Sequence, residues 1–311
     1  MILSSSYIEE DRWMQQLYQN FMIIAHHFKK SIMFVTCIAN LHWFNIIVAL
    51  ELNQKIENQS NIVAQVFQKK IKTLLQNLKI QYNQYFDIVW TIKYQKRDLS
   101  HIHILLFLHQ ENNFLEWACM NELICAKLLN FTINLNESLW RIIESQITHD
   151  SCDVWNFSAS CIKDNSKNSE QVCEKKFLKL YQIEIIIQIN NYSLYKRYQN
   201  DHIWMKHVND KDVHLNNIWV MSYNFYLTCK YNAHINVKIC NFVQIIKYIH
   251  KYMYKEEDWT IMKLKNNSNE ITCHLNDHYI SLNQTAWNLF KFCSYIKNSF
   301  ITHLIMHLSD E

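Results

Sequence analysis

The chain has 311 residues, 49% of them hydrophobic, and a formal net charge of +3, a globular composition long enough for one large core or two moderate ones. So small a charge excludes an argument for nucleic acid from bulk electrostatics, and such a partner must be read from local patches. Ten irregularly spaced cysteines, behind a polar, helical-looking start with no secretory signal, argue against a disulfide-stapled secreted protein and for a reduced, intracellular one.

No glycine and no proline occurs, where average usage would give about 22 and about 16, and four arginines stand against 27 lysines. Transitions of C to T and G to A on both strands of the gene would turn Gly into Asp or Glu, Pro into Ser or Leu, and Arg into Trp or Lys. A deliberately restricted alphabet is the alternative. Under either origin, turns that need a positive φ must use Asn, Asp or a strained residue.

In chain order, RWMQQLYQNFMIIAHHF (12–28) has helical spacing and SIMFVTCIA (31–39) reads as a buried strand. Residues 32–50 carry no charge over a bilayer-spanning length, but Asn40, His42 and Asn45 interrupt them, and no membrane span is expected. NIVAQVFQKKIKTLLQNL (61–78) is an amphipathic helix with Ile62, Val66, Ile71, Leu74, Leu75 and Leu78 on one side. FDIVWTIKYQ (86–95) and HIHILLFL (101–108) form two strands of a hairpin. Residues 149–180, rich in Cys, Asn and Ser, read as a loop-rich insert. EIIIQINNYSLYKRY (184–198) is a hairpin turning at Asn190 and Asn191, and HINVKIC (234–240) a strand. NFVQIIKYIHKYMYK (241–255) is a helix, as is SLNQTAWNLFKF (281–292), with a capping box at Ser281 and Gln284. The expected fold class is α+β, a mainly antiparallel sheet flanked by helices with a Cys/His-rich insert. The expected parts are 1–148, the insert 149–180, a second half 181–265 and a helical extension 266–311.

Three constellations could carry chemistry. His101 and His103 lie two apart on a strand, so both imidazoles point to one face and can grip one metal ion; among 16 histidines the pair can equally be structural. Tyr248 and Tyr252 stack on one face of the 241–255 helix beside Lys247, Lys251 and Lys255. A tyrosine can attack a phosphodiester if a metal polarises the phosphate and nearby lysines favour the phenolate, whose unperturbed pKa is about 10; an aromatic packing face is the plainer alternative. His149, Cys152, Cys161 and Cys173 supply H-x2-C-x8-C-x11-C, a zinc-like ligand set in the segment least able to fold by burial, or else plain thiols in a loop. No P-loop exists, because the motif needs glycine.

Six stretches, EEDRWMQQLYQNFMIIAHHFKK, NQSNIVAQVFQKKIKTLL, YQKRDLSHIHILLFL, WVMSYNFYLTCKYNAHINVKICN, IIKYIHKYMYK and HYISLNQTAWNLFKF, resemble blocks of the Helitron helicase-like family in that family's order. These are the replication initiators of rolling-circle transposases, within the HUH endonucleases. The resemblance implies an HUH-type sheet and a Mg²⁺ or Mn²⁺ ion on His101 and His103, with Gln95 beside them. It implies attack by Tyr248 or Tyr252 with Lys251 nearby, single-stranded DNA as partner with Lys96, Arg97, Lys247 and Lys255 along its backbone, and a nuclear location. Full-length relatives carry a separate helicase, absent from this sequence. The family has Gly-Leu-Pro-His where this chain reads Asp98, Leu99, Ser100, His101, and an acid where Lys93 stands. Such departures imply a decaying copy of impaired activity, with a catalytically dead DNA-binding module or a non-functional remnant as alternatives. If the hairpin turns about residue 98, Lys93 faces His103 and Gln95 faces His101.

Overall fold

The structure, a computed structural model, describes residues 15, 19, 23, 32–81, 85–94, 99–108, 123–128, 141–149, 161–164, 171–173, 179–186, 193–199, 203–208, 211–240 and 281–297. The main elements in chain order are β1 (Ile32–Ile38), α1 (Phe44–Ala49), α2 (Ser60–Gln81), β2 (Tyr85–Tyr94), β3 (Ser100–Leu108), β4 (Ile162–Asp164), β5 (Gln171–Cys173), β6 (Trp204–Val208), β7 (Lys211–Leu215), α3 (Phe225–Tyr231), β8 (Ile235–Cys240), α4 (Leu282–Leu289) and β9 (Tyr295–Lys297).

Five of these strands form one sheet in the order β8-β1-β3-β2-β9, antiparallel at every pairing. Side chains alternate between the faces of a strand, and that alternation divides this sheet chemically. One face carries Met33, Val35 and Cys37 of β1, Ile88, Trp90 and Ile92 of β2, Ile102, Ile104 and Leu106 of β3, and Ile235, Val237 and Ile239 of β8, all in the main core. Over them lies α2, whose Val63, Phe67, Ile71, Leu74 and Leu78 recur at helical spacing and are buried. At about 1.5–3 kcal/mol for each large apolar side chain taken from water, this layer is the main source of stability. The predicted helix and its apolar side are both present; Ile62, Val66 and Leu75 flank the buried stripe rather than centre it.

The antiparallel α+β expectation holds, and several local readings change. Residues 32–50 are a strand followed by the short α1, and no described helix is long and apolar enough to cross a membrane. The insert is more than a loop, since β4 and β5 pair in it from Ile162↔Cys173 to Asp164↔Gln171. The β6–β7 hairpin has no counterpart in the sequence reading, because its apolar residues neither alternate cleanly nor form a run. In the C-terminal segment α4 places Trp287 against Phe67 of α2 at 6.1 Å between rings, and β9 pairs with β2 at the sheet edge. The 184–198 hairpin is supported by the bridges Gln182↔Arg197 and Ile186↔Leu194. Its turn, and the predicted helix 241–255, lie outside the described residues.

Three described residues have positive φ: Asn53 at 71°, Asn232 at 44° and Lys291 at 53°. Two are the asparagines expected where glycine is missing. Asn232 ends α3, and its carbonyl accepts from Asn40 Nδ2 at 2.7 Å and Trp43 Nε1 at 3.0 Å. Lys291 follows α4 in a Schellman closure, with Phe292 N–H donating to Trp287 O at 3.1 Å and Lys291 N–H to Asn288 O at 2.9 Å. The Phe292 ring meets Trp287 edge-on at 5.1 Å, the apolar contact of that motif. A left-handed lysine costs roughly 1–2 kcal/mol. Lys291→Gly should therefore stabilise the chain by about 1 kcal/mol after the entropy of glycine is set against it. Lys291→Ala should leave stability nearly unchanged, and urea denaturation of the two variants checks both outcomes.

Candidate functional site

The face of the sheet opposite α2 carries the histidine pair. Because β3 is central, with β1 and β2 on either side, its backbone groups are occupied by neighbours and only its side chains can do chemistry. His101 and His103 project on the same face, their ring centroids 6.2 Å apart, close enough for both ring edges to meet one cation. His103 stacks on Phe34 of β1 at 5.6 Å. It also shares a hydrogen bond through Nδ1 with Thr36 Oγ1 at 3.0 Å, its partner in the β1–β3 ladder. His101 Nδ1 lies 2.8 Å from the Leu99 carbonyl, which can only accept, so that nitrogen carries the proton. Both Nδ1 atoms are engaged, so a metal ion bound by this pair would be met through Nε2, with Nδ1 held by a second partner.

The hairpin register differs from the sequence expectation by two residues. Lys93 stands opposite His101, and Thr91 opposite His103, because Tyr94 pairs with Ser100 and the reversal centres on residue 97 rather than 98. A two-residue shift conserves the face, so Lys93 still accompanies the histidines. Burial first, then the neighbouring His101 and the Lys93 ammonium, push His103 down to about 3. Burial also lowers His101, opposed by its bond to Leu99. Both imidazoles are therefore neutral at pH 7, the form in which a metal is bound, while Lys93 disfavours any cation placed between them.

A second cluster joins His149, Cys161 and Cys173, whose ligand atoms all lie within 4.8 Å of one another. Three of the four residues picked out by spacing thus come together; Cys152 lies outside the described residues. So do Gln95, Lys96 and Arg97 between β2 and β3, and Lys247, Tyr248, Lys251, Tyr252 and Lys255 of the 241–255 segment. Thr36, Thr91 and Asn236 escaped the sequence reading. Thr36 pairs with both His103 and Asn236 across β1, and only strand pairing reveals that neighbourhood.

The depressed histidine has a consequence for stability. Its folded pKa lies below the unfolded value of about 6.5, so on acidification the unfolded chain gains a proton that the folded chain refuses. The stabilisation is whole above about pH 6.5 and is lost as pH falls toward about 3. Melting temperature should drop through that window, and His103→Asn should flatten the slope relative to the parent chain.

Residues 1–106 match the family model of the Helitron helicase-like domain at N-terminus. The match takes in β1, α1, α2, β2 and both β3 histidines, and ends three residues after His103. The chain matches no curated protein. Over residues 1–106, about a third of the chain, the sequence is similar to the Helitron helicase-like domain, and beyond residue 106 the likeness rests on the sequence blocks.

Proposed function

We propose that this chain is the replication-initiator part of a rolling-circle transposon protein, a domain that nicks and rejoins single-stranded DNA through a phosphotyrosine bond. The family match supports the transposon-related role. The observation that carries the finer reading is the pair of neutral imidazoles on one face of the central strand, each held through Nδ1. A Mg²⁺ or Mn²⁺ ion bound there would supply electrophilic activation of the scissile phosphate. Oη of Tyr248 or Tyr252 forms the new bond to phosphorus while the bond from phosphorus to the 3′ oxygen breaks. The phenolic proton passes to solvent, eased by Lys251, and the departing 3′ oxygen takes one up. The product is a 5′-phosphotyrosine and a free 3′-hydroxyl, and the second tyrosine serves the rejoining strand. Lys96, Arg97, Lys247 and Lys255 are the cations for the DNA backbone, a contact that weakens as salt rises.

One observation favours a second reading, a module that holds DNA without cutting it. Lys93 faces His101 in the ladder, and an ammonium beside a divalent ion replaces attraction with repulsion. The two readings separate in an assay of Mn²⁺-dependent nicking on a single-stranded oligonucleotide. Nicking that forms a covalent protein–DNA adduct, and is lost in the Tyr248→Phe/Tyr252→Phe and His103→Ala variants, is the expected outcome. Lys93→Glu should raise Mn²⁺ affinity at least about tenfold, which is about 1.4 kcal/mol, and raise the nicking rate with it. DNA binding with no adduct in either the parent or Lys93→Glu chain would establish the second reading instead.

A further inference from the structure

The His149, Cys161 and Cys173 cluster takes no part in the proposed reaction, and its construction points to a purpose of its own. His149 is fixed through its backbone: its N–H donates to Trp219 O at 2.9 Å, next to the bridge between Thr148 and Val220. Cys161 immediately precedes β4, and Cys173 ends β5 opposite Ile162. The hairpin therefore brings together two cysteines that are distant in sequence.

His149 Nε2 lies 3.5 Å from Cys161 Sγ and 3.7 Å from Cys173 Sγ. A tetrahedral zinc ion, with nitrogen at about 2.0–2.1 Å and sulfur at about 2.3 Å, sets such atoms about 3.5–3.6 Å apart. Three vertices of that tetrahedron are accordingly in place. Hydrogen bonding alone is a weaker account, since one imidazole lone pair accepts from one S–H at a time, whereas a metal engages all three atoms. Two sulfurs and an imidazole suit zinc and not the hard cations that prefer oxygen.

We infer that His149, Cys161 and Cys173 hold a structural zinc ion that fastens the β4–β5 hairpin to the chain running from Asn217 to Tyr223. Binding releases the two thiol protons to solvent and leaves zinc on two thiolates and a neutral imidazole. A hairpin with three paired positions has too little core to persist alone, and the metal supplies the missing stability. The fastened run is tied in turn to the main sheet: Val237 N–H donates to Ser222 O at 3.1 Å, and Tyr223 bridges Asn236 of β8.

Metal analysis of the full chain purified without added metal should find one zinc per chain, and Co²⁺ exchanged for it should show tetrahedral d–d absorption. Alkylation followed by peptide mass spectrometry should find Cys161 and Cys173 protected until a chelator is added, then modified. Cys161→Ser/Cys173→Ser should lose the zinc, while Cys293→Ser and His101→Ala keep it. Zinc retained in the double variant would overturn the inference, as would alkylation of Cys161 and Cys173 that ignores the chelator. Should the double variant fail to fold, the alkylation contrast on the parent chain decides alone.

Discussion

Everything in this fold hangs on the alternation along β3. As the central strand of the sheet it has neighbours on both sides, so its backbone is committed and its two faces must answer to different surroundings. Ile102, Ile104 and Leu106 meet the α2 layer, while His101 and His103 meet Thr36 and Phe34 on the other face. A slip of one residue would drive both imidazoles into the apolar layer and turn three large aliphatic side chains away from it. Unpaired polar groups in such a core cost several kcal/mol. The packing that builds the sheet and the placement of the histidine pair are therefore one constraint.

Burial then sets the electrostatics of that pair. A histidine in water is partly protonated near neutrality, but the apolar surroundings of His103 disfavour its charged form far below that range. The neutral ring is held in place by a hydrogen bond with Thr36, which strand pairing sets opposite it. Lys93 works against this arrangement from the next strand. Its ammonium contributes to the lowering at His103 and opposes any cation on the same face.

The absence of glycine and proline leaves visible marks. Helix ends and tight turns still require left-handed residues, and the chain meets the need with asparagine at 53 and 232 and with lysine at 291. At Asn232 the strained carbonyl is put to use, gathering the Asn40 amide and the Trp43 indole so that the β1–α1 connection and the end of α3 are joined. Arg197, one of only four arginines, is buried and gives hydrogen bonds from Nη1 to the carbonyls of Asn217 and Val220. Burial lowers it to about 10, still charged at neutral pH, and the two carbonyls take the place of water around it. The same run of chain receives the His149 backbone, so polar contacts hold it alongside the buried Trp219, Val220 and Tyr223.

Periodicity alone was enough for the strands β1, β2, β3 and β8 and for helices α2 and α4, because each buries one face and its apolar spacing records which one. The Ser281 cap is likewise local: its hydroxyl accepts from Gln284 N–H within four residues of chain. That His101 and His103 share one strand face, and that three of the four Cys/His residues come together, was legible too, since spacing is a property of the sequence. Elsewhere the deciding contacts are distant. The β2–β3 register depends on how the whole sheet packs, and it moved Lys93 from His103 to His101. The edge strand β9 exists because Trp287 anchors α4 on α2 and delivers residues 295–297 to β2. Thr36 became a partner of His103 only when strands 67 residues apart were paired, for long-range pairing depends on what two segments bury together and is written in neither segment alone.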